Sequence, residues 1–84
     1  MTLTRENMVA VVWEGYDGGW WWYVAGRFGA GTRDEREVVV APVGARVARR
    51  VTAERLAERW VGEHVGWEFD PWEWPRRPKS VERR

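Results

Sequence analysis

Cysteine is absent from this chain, and histidine occurs once, as His64. The first absence excludes disulfides and thiolate metal sites. The second leaves no histidine cluster to bind a metal, so no cofactor or metal is expected. Serine is almost missing too: Ser80 is the only one, far from His64 in sequence, and no Ser, His and Asp arrangement suggests a triad. No apolar run approaches the roughly 18 residues that a membrane span needs. The opening residues lack the basic, apolar and small-residue order of a signal peptide. The expected location is therefore cytoplasmic. Lysine is also scarce, with thirteen arginines to one lysine. Ala, Gly, Val and Trp are plentiful, a bias that GC-rich codons produce and that suits a bacterium or its phage.

Against these absences stand eight tryptophans in 84 residues. A chain this short forms one domain at most and buries only about 60% of the surface its unfolded form exposes. Small domains offset this with disulfides, metals or self-association. Without cysteine, large indoles that each bury about 150–250 Å² are one compensation. A homo-oligomer is the other. Net charge is +1, unevenly spread: residues 1–70 carry nine arginines and eleven carboxylates, and residues 71–84 carry five basic residues and two acids. A domain devoted to DNA is usually more basic than the first part.

Along the chain, residues 1–7 read as a polar lead-in, residues 8–66 as a single small domain and residues 67–84 as a Trp-, Pro- and Arg-rich tail. "MVAVVWE" (8–14), "WWWYVAGRF" (20–28) and "REVVVAP" (36–42) are β-branched and aromatic and read as strands. Asp17-Gly18 lies between the first two, where a tight hairpin needs positive φ. Residues 43–51 read as an extended segment that could supply a fourth strand. "TAERLAERWVGEH" (52–64) places Ala53, Leu56, Ala57, Trp60, Val61 and His64 on one helical stripe. Thr52 is the candidate N-cap, Glu54 falls in the first turn, and Gly66 is the stop. The expected fold is α+β, a three- or four-stranded antiparallel sheet in the order β-β-β-(β)-α with one helix packed on a face.

Strand alternation then poses a question. Trp20, Trp22, Val24 and Phe28 share one face of the second strand, and Trp21, Tyr23 and Ala25 share the other. Val9, Val11 and Trp13 oppose Met8, Ala10 and Val12 in the first strand, and Val38 and Val40 oppose Val39 and Ala41 in the third. Neither face is polar, although a sheet with one wet face alternates apolar and polar residues. One helix covers one face. The tail, with Trp67, Phe69, Trp72 and Trp74, a second copy or a different partner must cover the other.

The chemistry points to binding rather than catalysis. His64 reads as a packed or rim histidine on the helical stripe, and the carboxylates near the turns form no acid/base pair. No catalytic residue is expected. The first functional reading is a small protein-binding module, such as a phage or mobile-element accessory or inhibitory protein, acting through Trp21, Tyr23, Trp72, Trp74 and Arg77. Trp and Arg are favoured anchors of protein interfaces. The second is nucleic-acid binding: indoles on a sheet can stack bases, and Arg27, Arg33, Arg36, Arg46, Arg49 and Arg50 can grip phosphate. The third is a self-associating virion or structural subunit. The hairpin with Asp17-Gly18 and Trp20, the charged turn 29–35 and the helix from Thr52 to Trp60 resemble the arm-type DNA-binding domain of tyrosine recombinases over about residues 8–65. That resemblance implies the nucleic-acid reading, although residues 43–51 are extra to it.

Overall fold

The computed structural model describes residues 1–41 and 43–70. Three antiparallel strands, β1 (Met8–Glu14), β2 (Trp20–Phe28) and β3 (Arg36–Ala41), form one sheet with β2 in the middle, and one helix, α1 (Arg50–His64), follows. This is the expected α+β fold, with three strands.

The β1–β2 register pairs Met8 with Gly26 and Glu14 with Trp20. It is fixed by a three-residue loop, Tyr16-Asp17-Gly18, in which Gly18 takes φ +81 and the Gly15 N–H donates to the Gly19 carbonyl at 2.8 Å. At the far end the Arg27 N–H donates to the Asn7 carbonyl at 2.7 Å. These two bonds set the alternation along β1: odd-numbered residues turn their backbone groups to β2, and Met8, Ala10, Val12 and Glu14 turn theirs away.

Antiparallel partners share a face, so Trp20, Trp22, Val24 and Phe28 lie with Met8 on one side. That is the side α1 packs against. Leu3, Met8, Val24, Phe28, Val40, Ala41, Ala57 and Val61 form the buried cluster, with Trp22, Trp60 and Phe69 packed on it. Ala53, Ala57 and Val61 are the buried residues of α1, spaced one turn apart. Each fully buried apolar side chain contributes about 1.5–3 kcal/mol, which makes this cluster the main source of stability.

The third strand departs from simple alternation. A register shift falls between Val24 and Ala25, so Ala25 pairs with Val39 while Val24 pairs with Ala41. The extra residue is Val40. The bulge turns both Val40 and Ala41 inward, and each is 2% exposed. The expectation that Ala41 shares a face with Val39 is thereby corrected.

Residues 43–49 do not make a fourth strand. They continue beside the first half of β2: the Gly44 N–H donates to the Trp22 carbonyl, and Val47 and Trp20 exchange backbone hydrogen bonds of 3.0 and 2.8 Å. The helix then begins at Arg50, two residues before the sequence signal. Arg49 is the N-cap, with no side-chain cap bond, and Thr52 lies inside the first turn. No acid sits in that turn; Glu54 instead pairs with Arg50 at 3.0 Å. The Val47 bridge holds the chain extended up to this point. The Arg50 guanidinium lies 5.6 Å from the Trp20 ring centre, so tertiary contact sets the helix start and overrides the cap preference.

The segments read as lead-in and tail meet each other. Leu3 exchanges backbone hydrogen bonds with Gly66 and Trp67, and Phe69 donates to the Met1 carbonyl. Val65 (φ −61, ψ 130) and Gly66 (φ +92) form a type II turn that ends the helix, closed from the Trp67 N–H to the His64 carbonyl at 3.1 Å. Leu3 enters the core at 2% exposure, and Phe69 stacks on Phe28 with ring centres 5.4 Å apart. The packed body therefore includes residues before Met8 and after Gly66.

Leu3→Ala is expected to lower unfolding free energy by about 2–5 kcal/mol in urea titration, as for a core leucine. A change within about 0.5 kcal/mol would show a surface position.

Candidate functional site: the outer face of the sheet

The triple tryptophan divides as the strand requires. Trp20 and Trp22 face the helix, and Trp21 lies on the opposite, outer face with Tyr23 and Ala25 from β2. Val9, Val11 and Trp13 join them from β1, and Val39 joins from β3. No described element lies over this face. Trp67 and Phe69, two candidates for covering it, are used elsewhere: Phe69 on Phe28, and Trp67 against His64 at 4.4 Å. Trp72, Trp74 and Arg77 lie outside the described residues.

The aromatic side chains cluster toward the β1–β2 turn. Trp13 meets Tyr23 edge to face with ring centres 5.8 Å apart. Trp13, Trp21 and the fully exposed Tyr16 line a broad shallow hollow with Glu14, Gly15 and Asp17. A Cβ on Gly15 would stand 2.7 Å from the Trp21 Nε1, so only glycine lets the indole settle over the turn. Sequence reasoning selected Trp21 and Tyr23 and missed Trp13, Tyr16 and Glu14 as neighbours. The register places Trp13 directly opposite Trp21; a two-residue turn at Asp17-Gly18 would have paired Trp13 with Trp22, so the three-residue loop decides which indole it meets.

The rim of the hollow is acidic. Glu14 makes no ion pair among the described residues. Asp17 Oδ1 accepts the Gly19 N–H at 3.0 Å, and Oδ2 accepts from the Arg46 Nε at 2.7 Å. The Gly19 N–H is the main cause, with Arg46 adding to it, of an Asp17 pKa held below its ordinary 3.8. This pair ties the 43–49 segment to the hairpin tip.

The arginines considered for phosphate are distributed differently. Arg27 pairs across strands with Glu37 at 2.8 Å, Arg46 with Asp17 and Arg50 with Glu54. Arg33 and Arg49 are exposed, at the second turn and the helix start, and Arg36 begins β3. Arg27 and Arg36 line one hollow, together with Glu35 and Glu37.

His64 is a packed histidine. Its ring stacks on Trp60 at 3.8 Å with planes 8° apart, and its Nδ1 lies 2.7 Å from the Trp60 carbonyl, an acceptor that requires the proton on Nδ1. Among the described residues no group of three His, Asp or Glu side chains could hold a metal ion, and no helix is long and apolar enough to cross a membrane. Compared with protein-family models, curated proteins and solved structures, the chain matches none.

Because the Asp17 pKa is depressed in the fold, its stabilisation is complete above the ordinary value of 3.8 and fades as pH falls through the lower folded value. Asp17→Asn is expected to lessen the loss of thermal stability in acid below about pH 4. An unchanged acid limb in melting curves of the variant would contradict the assignment.

Proposed function

We propose that this chain is a small non-enzymatic protein-binding module and that the outer sheet face is its contact surface. The observation that carries this reading is the apolar face of Val9, Val11, Trp13, Trp21, Tyr23 and Val39 with no described element over it. A contiguous uncovered apolar face of this kind marks an interaction site. Tryptophan and tyrosine supply large rigid contact area at low entropic cost, which suits them as anchors.

The hollow by the hairpin tip gives the partner its chemistry. Three aromatic rings with Glu14, which makes no ion pair among the described residues, at the rim favour an apolar surface that carries a basic side chain. A guanidinium or ammonium laid on an indole gains about 0.5–2 kcal/mol, and an adjacent carboxylate adds direction. The stacked, hydrogen-bonded state of His64 and the commitment of Asp17, Glu37 and Glu54 to ion pairs support a binding role over catalysis.

Panning a random peptide library on the folded chain tests this. The selected peptides are expected to combine apolar residues with Arg or Lys. Trp13→Ser with Trp21→Ser is expected to weaken them by about 2 kcal/mol or more, the loss typical of an anchor residue. Peptides that bind the double variant equally well would refute the assignment of the face. A parallel titration with single- and double-stranded nucleic acid, followed by tryptophan fluorescence, separates the alternative: quenching that weakens steeply with salt would favour phosphate contacts through the arginines.

A further inference from the structure

The two edges of the sheet are unlike. On β3 only Glu37 and Val39 turn backbone groups away from β2. Glu37 is charged, the bulge at Val40 follows at once, and Pro42, which has no N–H, comes next in sequence. Charge, bulge and proline are the devices that stop an edge strand from pairing with another chain. On β1 there is no bulge and no proline, and the one charge, Glu14, stands at the strand's last position. Seven residues, "MVAVVWE", run without proline, glycine, lysine or bulge, and Met8, Ala10, Val12 and Glu14 direct their N–H and C=O groups outward. Among the described residues no strand pairs with that side. Ala10 is exposed and Val12 only half-buried, although both lie on the helix-packed face.

We propose that β1 pairs antiparallel with β1 of a second copy about a two-fold axis at Val11, joining two sheets into one of six strands. The occupant is a second copy because the strand is complementary to itself in this register. Centring on Val11 places Ala10 opposite Val12 and Met8 opposite Glu14, so all four outward-turned residues meet outward-turned residues of the partner. Val11 meets Val11 as a non-hydrogen-bonded pair, where side chains approach most closely. The strand's only charge, Glu14, faces methionine, and no like charges oppose each other across the axis. Centring on Ala10 or Val12 shortens the overlap. On the outer face Val9 then lies opposite Trp13, and the two aromatic faces become one. A chain without cysteine gains in this way the burial that its size withholds.

Sedimentation equilibrium of the full chain, from micromolar to millimolar concentration, tests the proposal independently of what docks on the outer face. The expected mass is twice that of the 9.9 kDa chain. Val11→Lys and Val11→Glu each place like charges in contact at the axis and are expected to raise the dimer dissociation constant at least about tenfold. Mixing the two variants is expected to restore the dimer, which shows that both are folded. A wild-type chain that stays monomeric, or a mass above two copies, would overturn the proposal. So would dimers of either single variant as tight as wild type, or a mixture no tighter than its components.

Discussion

The structure depends on one contact: α1 lying against the even-numbered residues of β2. A strand gives each neighbouring side chain to opposite faces, so three consecutive indoles cannot share a core. Once Val24 and Phe28 are buried under Ala57 and Val61, Trp20 and Trp22 go to the helix side and Trp21 goes outside. A one-residue slip would exchange all of them. The three-residue loop at 16–18 and the bulge at Val40 keep the register from slipping, one on each side of β2.

Much of this was legible in the sequence. Asp17-Gly18 between two β-branched runs marks the hairpin, and the stripe through Ala53, Ala57 and Val61 marks the buried side of the helix. The alternation along β1 and β2 identified both apolar faces, and with them Trp21 and Tyr23. What was not legible depends on partners distant in sequence. Leu3 is one apolar residue in a polar stretch, with no periodicity of its own. Its burial follows from backbone pairing with Gly66 and Trp67, more than sixty residues away. Ala41 turned inward because of a bulge at Val40 that no periodicity in the sequence marks. Thr52 has the chemistry of a cap, but the bridge between Val47 and Trp20 and the contact of Arg50 with Trp20 moved the start of the helix. Arg46 read as part of a basic cluster, and the fold gave it to Asp17.

The same arrangement explains why the outer face is the place to look for function. Of the aromatic residues that could have closed it, Trp67 and Phe69 are held on the helix side, one by His64 and the other by Phe28. The body thus spends four aromatic rings, Trp60, His64, Trp67 and Phe69, on fastening its C-terminal end to the core. It leaves Trp13, Tyr16, Trp21 and Tyr23 at the hairpin. On the proposed reading, stability and recognition fall to opposite sides of one strand.

The central claim is this division of the tryptophans, and nuclear Overhauser contacts of the indole N–H protons test it most directly. A Cβ position on Gly15 lies 2.7 Å from the Trp21 Nε1, and one on Gly44 lies 2.8 Å from the Trp22 Nε1. The account expects the Trp21 indole N–H to show a cross-peak to the Gly15 α-protons and the Trp22 indole N–H to those of Gly44. Exchanged cross-peaks, or contacts from Trp21 to the methyls of Ala57 and Val61, would contradict it.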